Sequence, residues 1–268
     1  MYPHTVQNRL NKLCINHVIS NPNPLLNKQH TILHTIQGKH ENYVFRIGTE
    51  SDLPYIMNVL NWSYCGKPGV KHGWTDVSHA ITQRVDIQQT ISYYNKGYTF
   101  IVIQRDDGWN SSIALENGGI IGCISMCRVY DTQLKQSICN VLSYNYYHNI
   151  DQCTIVELSL YGIDPSYQSL KLGGELFELA EWYCCIMLDA HILTGDIVDG
   201  RIDLQKWYEK RGWCIFGDDM VVDCPVPNTA NLKYRRFGKV KRQINESSNN
   251  TEWMKYMQNN SDAITIKR

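Results

Sequence analysis

The stretch of sequence that decides the fold runs from Leu160 to Leu176 and is LYGIDPSYQSLKLGGEL. It begins in an apolar strand, predicted over Cys153 to Ile163, which Asp164-Pro165 ends. A short loop follows, and the apolar spacing then predicts a helix over Leu172 to Leu188. The first N–H groups of a helix have no internal partners and lie at the positive end of its dipole, so this loop is a candidate anion-binding site.

Two glycines at the start of this helix suit such a site. Gly173 and Gly174 carry no side chain, so the phosphates of a ligand can approach their backbone closely. Paired glycines at a helix start more often have a structural role, and spacing alone leaves both interpretations open.

The segments on either side of this stretch predict a mixed sheet. Strands are predicted at 43–47, 97–103, 118–129, 153–163, 191–198 and 213–222, and helices at 53–60, 77–94, 172–188 and 202–210. Residues 131–149 have no clear period, and the segment 144–147 within them is predicted as a loop or an edge. Neighbouring strands combined with strand–helix–strand units predict an α/β (α+β) fold, with a mixed central sheet covered by helices on both faces.

The distribution of charge divides the chain into three parts. Lys+Arg and Asp+Glu are equal at 26 each, but residues 1–40 hold four basic residues and no acid. Residues 226–268 hold nine basic residues and three acids, which leaves residues 41–225 with 13 basic and 23 acidic residues and a net charge of −10. We therefore predict a polar N-terminal extension over 1–42, a folded domain over 43–225 and a basic C-terminal tail over 226–268.

Several classes of protein are disfavoured by what the sequence lacks. The ten cysteines have no repeated spacing and no CxxC pair, and no secretory signal is present, which predicts reduced thiols in an intracellular, cytoplasmic protein. No apolar run approaches the ~18 residues of a transmembrane helix, so no membrane contact is expected. The His and Cys spacing predicts no metal site, and neither G-x-S-x-G nor a P-loop occurs.

Residues 160–176 resemble the acetyl-CoA-binding motif of the GNAT acetyltransferase superfamily, in which a strand is followed by x-Pro-x-x-(Gln/Arg)-x-x-Gly-x-(Gly/Ala) and a helix. The segment 203–213, with the sequence DLQKWYEKRGW, is similar to the second signature of that family, a helix ending in Tyr-Glu-Lys-x-Gly-aromatic. The first strand and its ESDLP helix start also match. The resemblance covers about residues 43–225 and implies a mostly antiparallel sheet that splays apart at the acetyl-CoA cleft.

The resemblance implies that acetyl-CoA is the co-substrate and assigns residues to its parts. Backbone groups of Tyr161, Gly162 and Ile163 would pair with the pantetheine arm as if it were an added strand. Amides of the following loop would hold the pyrophosphate. The loop residues are Gln168, Ser169, Leu170, Lys171, Leu172, Gly173 and Gly174.

Two residues are candidates for catalysis. The resemblance places Tyr208 near the thioester sulfur, where a phenol with a pKa near ~10 is a reasonable acid for a departing thiolate near ~8.5. Glu157 lies six residues before Ile163 on the same strand, so both side chains point to one face, and its carboxylate can accept the proton of the amine. The alternatives are that Tyr208 only packs at a helix end and that Glu157 is a structural, salt-bridged acid.

Two positions depart from the pattern of the family. Lys171 stands where the first glycine is usual, and a lysine there strains the loop if the position requires a positive φ. Arg201 stands seven residues before Tyr208, where family members often have Asn, and either reaches the cofactor or caps the helix entry.

The acceptor substrate is specified only weakly. His72, Trp74 and the tyrosine-rich segment 144–147 are candidate walls of its site. The net charge of −10 in the folded part favours a cationic substrate, but this argument fails if the basic tails fold over the body.

The predicted function is transfer of an acetyl group from acetyl-CoA to a primary amine, by direct attack in a ternary complex. The amine is either a small cationic amine or a lysine or peptide amine. One alternative is a non-catalytic acyl-CoA-binding protein, and another is an interaction protein that uses its basic tails. The basic run from Lys233 to Arg242 is a candidate surface for nucleic acid or an acidic partner, although a solvated tail is favoured and nucleic-acid binding is not expected. No motif specifies the amine, the acyl chain length or the oligomeric state.

Overall fold

The computed structural model describes residues 31–38, 41–71, 73, 77, 82–106, 116–144, 150–217, 221–223 and 233–241. The strands in these residues are β1 (Ile32–Gln37), β2 (Asn42–Ile47), β3 (Thr99–Asp106), β4 (Ile120–Arg128), β5 (Ile155–Ile163), β6 (Ile192–Val198), β7 (Cys214–Ile215), β8 (Val221–Asp223) and β9 (Lys233–Val240). The α-helices in the same residues are α1 (Leu53–Cys65), α2 (Ile87–Asn95), α3 (Thr132–Val141), α4 (Leu172–Ile186) and α5 (Ile202–Glu209).

All the described strands belong to one sheet. Its order is β1-β2-β3-β4-β5-β6-β9-β7, and β8 also pairs with β9. The β5–β6 pair is parallel, while the other strand pairs are antiparallel. The predicted fold, a mixed and mostly antiparallel sheet flanked by helices, is therefore confirmed.

The alternation along β3 shows how the sheet divides the core between its two faces. Phe100 and Val102 pack in a buried cluster with apolar residues of α1. Ile101 and Ile103 point to the other face, where they join a cluster that contains the inner side of α4. Because successive strand side chains alternate between faces, one continuous apolar strand supplies both layers.

The sheet opens between its two parallel strands. β5 pairs with β6 only from Ile155 to Glu157, opposite Ile192 to Thr194. Beyond Glu157 the remaining residues of β5 keep β4 as a neighbour on one edge and diverge from β6 on the other. Leu160, with a φ of 45°, lies in an irregularity of the β4–β5 register at this point. This gap is the splay that the family resemblance implies.

Parts of both predicted tails are strands, which corrects the boundaries at 42 and 226. β1 lies within the predicted extension 1–42 and pairs with β2. β9 lies within the predicted basic tail 226–268, yet it runs between β6 on one side and β7 and β8 on the other. Its basic side chains alternate with the buried residues Tyr234 and Phe237 and form ion pairs with acids of the domain, so a strongly charged segment can occupy an inner position in the sheet.

Three smaller differences concern element boundaries. Residues 132–141, which lie in a segment without a clear period, form α3, whose first turn is capped by Asp131 accepting from the Leu134 N–H at 2.7 Å. The strand predicted over 213–222 is divided into β7 and β8. Within the predicted helical region 77–94, the described helix is α2, which begins at Ile87.

The described residues contain neither a metal-ligand cluster nor a membrane-spanning element. No group of three or more His, Cys, Asp or Glu in them is arranged to hold a metal ion. None of their helices combines the length and the apolar character needed to cross a bilayer. None of their eight cysteines forms a disulfide.

Candidate active site

A cleft lies where α4 begins beside the open edge of β5. Its walls come from the end of β5, the 3-10 turn Pro165–Leu170 and the first turn of α4. The sequence-predicted cofactor residues that line it are Tyr161, Gly162, Ile163, Gln168, Ser169, Lys171, Gly173 and Gly174. Two other predicted residues lie outside it, because Leu170 is exposed to solvent and Leu172 is buried in the core. We call this space the cofactor cleft.

The glycines of the cofactor cleft are required by close packing. A Cβ atom on Gly173 would lie 2.6 Å from the hydroxyl oxygen of Tyr161, which is closer than real Cβ contacts. A Cβ atom on Gly162 would collide with the Ser63 side chain. Both glycines therefore let β5, α1 and α4 approach one another, and at Gly173 the absent side chain also keeps the floor of the cleft open.

Lys171 has the left-handed conformation that the sequence analysis identified as a source of strain. Its φ is 64° and its ψ is 2° at the residue that immediately precedes α4. An L-residue in this region has its Cβ close to the following carbonyl oxygen, which glycine avoids. The exposed lysine side chain nevertheless lines the cofactor cleft beside the helix N-terminus.

Two further cations line the cofactor cleft, and sequence reasoning did not select either of them. Lys71 and Arg211 contribute to its walls, together with the acids Glu175 and Glu178. The guanidinium of Arg211 lies 3.6 Å from the centroid of the Trp207 ring, and its buried Nε has no hydrogen-bond partner within the described structure. Arg211 lies directly before Gly212 in the second signature, and this position is the sequence signal that could have identified it.

A second cavity lies in the gap where β5 and β6 diverge. Among its lining residues are Tyr98, Glu157, Asp196 and Tyr208, and we call it the acceptor cavity. Tyr161 and Trp207 line both this cavity and the cofactor cleft, so the two spaces adjoin there. The arrangement brings the predicted anion site at the start of α4 and the predicted proton acceptor Glu157 to opposite sides of the gap between β5 and β6.

Tyr208 lies in an aromatic cluster at the base of the acceptor cavity. Its ring centroid is 4.2 Å from that of Phe237 and 5.4 Å from that of Phe177. Burial raises the pKa of this phenol well above its usual range, and the neighbouring phenols of Tyr161 and Tyr64 add to the effect. Tyr208 therefore both packs and faces the cavity, and it keeps its proton throughout the neutral range.

Glu157 lines the acceptor cavity, and its ion pair with Arg236 is a long one. Its Oε2 lies 3.9 Å from Nη2 of Arg236, while the same guanidinium forms two shorter bonds of 2.8 and 2.9 Å to Asp196. Burial raises the pKa of Glu157, and the charge of Asp196 raises it further, against the opposing charge of Arg236. A carboxyl with a raised pKa in a cavity wall is typical of a general base.

Arg201 lies away from the loop that it was predicted to serve. It precedes α5, lines the acceptor cavity and does not line the cofactor cleft. Its guanidinium binds Asp203 at 2.7 and 2.9 Å, which lowers the pKa of that carboxyl to about 2. Arg201 occupies the N-cap position of α5, where its side chain makes no capping hydrogen bond and pairs with Asp203.

The residues predicted as substrate walls are not brought to the site by the described structure. His72, Trp74 and residues 145–149 lie outside the described residues. Tyr144 packs against a separate apolar cluster that contains Ile138 and Phe216. Sequence reasoning missed the described walls, Tyr64, Tyr98 and Arg84, because they come from three elements that only the fold brings together.

The basic run in β9 is compensated within the protein. Arg235 binds Asp199 at 2.8 Å, and Lys239 binds Glu181 at 2.8 Å. Arg242, the last residue of the run, lies outside the described residues. Arg235 and Lys239 therefore already have acidic partners within the protein.

Comparison with solved structures identifies the fold. The structure of Arabidopsis thaliana NAA60 in complex with acetyl-CoA is similar with a TM-score of 0.53 and 11% identity, over 74% of this chain and 98% of that chain. The same protein in complex with a bisubstrate analogue is similar with a TM-score of 0.52 and 12% identity, over 74% and 97% of the two chains. No sequence-family model matches this chain, and no curated protein matches it significantly.

At 12% and 11% identity, these similarities establish the fold of the chain. The chain has the GNAT acetyltransferase fold, as its sequence motifs predicted.

Proposed function

We propose that this protein transfers an acetyl group from acetyl-CoA to a primary amine by direct attack in a ternary complex. The observation that carries the proposal is the meeting of the cofactor cleft and the acceptor cavity at Tyr161 and Trp207. A thioester held in the cleft would present its carbonyl carbon at this junction. An amine held beside Glu157 would approach the same carbon from the other side of the sheet.

The cofactor cleft suits the parts of acetyl-CoA in order. The open edge of β5 offers backbone groups for the amides of pantetheine, and the start of α4 offers N–H groups for the pyrophosphate. Lys71, Lys171 and Arg211 add positive charge beside those N–H groups. The likeness in fold to NAA60, which was solved with acetyl-CoA, supports the same assignment.

The acceptor cavity supplies the groups that the proton transfers need. The amine nitrogen attacks the thioester carbon, and its proton passes to Glu157, directly or through water. The carbon–sulfur bond then breaks, and the departing thiolate takes a proton from Tyr208. Because burial raises the pKa of Tyr208, the phenol enters the reaction with its proton in place.

Two finer assignments belong to this proposal. The catalytic unit extends from β1 to β9, since both strands are part of the sheet that forms the site. The protein is placed in the cytoplasm, a proposal supported by the eight cysteines of the described chain, none of which forms a disulfide.

The test is calorimetric titration of the full chain with acetyl-CoA, beside the variant Gly173→Trp. The added ring would collide with Tyr161 and fill the floor of the cleft, so micromolar binding by the wild type should be lost. Tyr130→Trp is the matched control, because Tyr130 is 79% exposed and lines neither cavity. Arg211→Ala removes a cleft cation without adding bulk and should weaken binding roughly 10-fold. Absence of acetyl-CoA binding by the wild type would refute the proposal.

A non-catalytic acyl-CoA-binding protein is the second candidate, and the strained Lys171 in the phosphate loop is the observation in its favour. A panel of primary amines, assayed for CoA release in the presence of acetyl-CoA, separates the two. Turnover that depends on the amine supports the enzyme. Micromolar binding of acetyl-CoA without turnover of any amine supports the non-catalytic protein.

A further inference from the structure

Arg84 lies in the wall of the acceptor cavity without an acidic partner in the described structure. Its backbone N–H donates to Oδ1 of Asn61 at 2.7 Å, which holds the residue against α1. Its guanidinium lies 5.4 Å from the centroid of the Tyr64 ring. Its Nε is buried and makes no hydrogen bond. The guanidinium is thus held beside Tyr64 in the wall of the cavity.

Arg201, which also lines this cavity, and Arg236, which binds its acids from outside the lining, are neutralised by the protein itself. Arg201 is paired with Asp203, and Arg236 is paired with Asp196. A buried charged donor without an acceptor is costly, so proteins normally supply one. At Arg84 the acceptor is missing from the described chain, and a ligand in the cavity is in position to provide it.

The two acids of the cavity do not fill this role, since Asp196 pairs with Arg236. Glu157 forms its ion pair with Arg236, at 3.9 Å, and none with Arg84. The cavity therefore offers two separate sites of opposite charge, a carboxylate at Glu157 and a guanidinium at Arg84. A purely cationic substrate such as a polyamine would satisfy the first site and be repelled by the second.

We propose that the acceptor substrate is an amino acid, whose carboxylate binds Arg84 while its amine lies at Glu157. The placement of the amine rests on the function proposed above. A planar carboxylate can accept from the two Nη groups of an arginine at the same time, and in Arg84 only the Nε is buried. Arg84 is thus a residue that determines specificity and has no role in the chemical step.

The test measures binding, so that it does not depend on turnover. The full chain, saturated with CoA, is titrated with glycine, longer ω-amino acids up to 6-aminohexanoate and the common α-amino acids, each beside its carboxamide. At least one acid should bind the wild type roughly 10- to 100-fold more tightly than its carboxamide, the span expected for a charge-assisted bidentate contact. Arg84→Gln should abolish this preference, and Arg84→Lys, which keeps the charge without the fork, should retain part of it.

Arg128→Gln is the matched control, because Arg128 is exposed, donates to the Leu188 carbonyl and lines neither cavity. It should leave the preference unchanged. The proposal is overturned if no acid binds more tightly than its carboxamide, or if the preference survives in Arg84→Gln.

Turnover of the same panel with acetyl-CoA separates this proposal from the proposed function. If carboxamides and diamines are acetylated as well as the acids, the enzyme assignment stands and the role of Arg84 is wrong. If the acids bind through Arg84 but no compound is acetylated, the anion site stands and the acetyltransferase assignment is wrong.

Discussion

Glu157 has two neighbours with opposite effects, and their balance decides whether it can work as a base. Asp196 and burial favour the neutral carboxyl, while Arg236 favours the carboxylate. Arg236 is held mainly by Asp196, so Glu157 is left with a long contact of 3.9 Å instead of a tight pair. A carboxylate with a loose partner remains able to accept a proton from an incoming amine.

Substitution of Glu157 tests this role. Glu157→Gln should lower kcat by roughly 10²- to 10⁴-fold, the usual contribution of general-base catalysis, and leave the Kd for acetyl-CoA unchanged. Because the pKa of Glu157 is raised, kcat/KM of the wild type should fall with decreasing pH through a value above 4.5, and the variant should lack this acid limb. Steady-state kinetics from pH 4 to 8 measure both effects. Glu209→Gln, an exposed change on α5, is the control, and an equal loss of kcat there would count against the assignment.

The left-handed backbone conformation of Lys171 lowers the stability of the folded protein. The left-handed conformation costs an L-residue roughly 1–2 kcal/mol, whereas glycine adopts it freely but loses about 0.5–1 kcal/mol more entropy on folding. Lys171→Gly should therefore raise the free energy of unfolding by about 0.5–1 kcal/mol, measured by urea denaturation. Lys210→Gly is the matched control, because Lys210 has a φ of −59° and should be destabilised by the same change. A loss of stability in both variants would show that Lys171 is not strained.

At the scale of elements, β9 joins the two halves of the site through ion pairs. Arg236 forms a bidentate contact with Asp196 on β6, and Lys239 reaches Glu181 on α4. Glu181 also accepts from the indole N–H of Trp213 at 2.7 Å. The strand therefore fixes β6 on one side of the splay and α4 on the other, which sets the width of the acceptor cavity.

The contact between Arg236 and Asp196 should contribute more than the similar one at Arg235. Arg236→Met leaves the Asp196 carboxylate without its two charged hydrogen bonds, so we expect a loss of roughly 2 kcal/mol in the free energy of unfolding. Arg235 pairs with the more exposed Asp199, and Arg235→Met should cost less than about 1 kcal/mol. Chemical denaturation of both variants provides the comparison. Equal losses of unfolding free energy in the two variants would show that burial does not determine how much each ion pair contributes.

β9 also shows why the sequence analysis succeeded in one half of the chain and failed in the other. The strand, loop and helix over 160–176 carry local signals, namely an apolar run, a proline stop and an amphipathic spacing, and all were recovered. In β9 the decisive partners are Asp196, Asp199 and Glu181, which precede it by 36 to 58 residues, and no local window contains them. Arg84 escaped notice for the same reason, since its lack of a partner is a property of the folded cavity.

At the scale of the whole molecule, folding joins the basic strand β9 to the acidic body of the chain. The net charge of −10 over residues 41–225 favoured a cationic substrate only if the basic tails stayed away from the body. The basic strand β9 is instead an inner strand whose cations pair with acids of that body. The net charge of residues 41–225 is therefore no guide to the charge of the substrate. The individual charged groups of the acceptor cavity, such as Glu157 and Arg84, are the better guide.

The same observation predicts how the molecule responds to truncation. A chain that ends at residue 223 loses β9, which leaves β6 without a neighbour on one edge and removes Phe237 from its contact with Tyr208. Asp196 and Glu181 would also lose their cationic partners, so an opened sheet edge would coincide with uncompensated charge. We expect this chain to lose both cooperative unfolding, followed by circular dichroism, and acetyl-CoA binding, followed by calorimetry.

A chain that ends at residue 241 is the control, because it keeps every described strand of the sheet. It should unfold cooperatively and bind acetyl-CoA with the affinity of the full chain. If the chain ending at residue 223 also folded and bound acetyl-CoA, residues 226–268 would be the dispensable tail that their composition suggests. The opposite result would make β9 an integral part of the domain, since the loss of one late strand would then remove a site whose predicted motifs all lie before it.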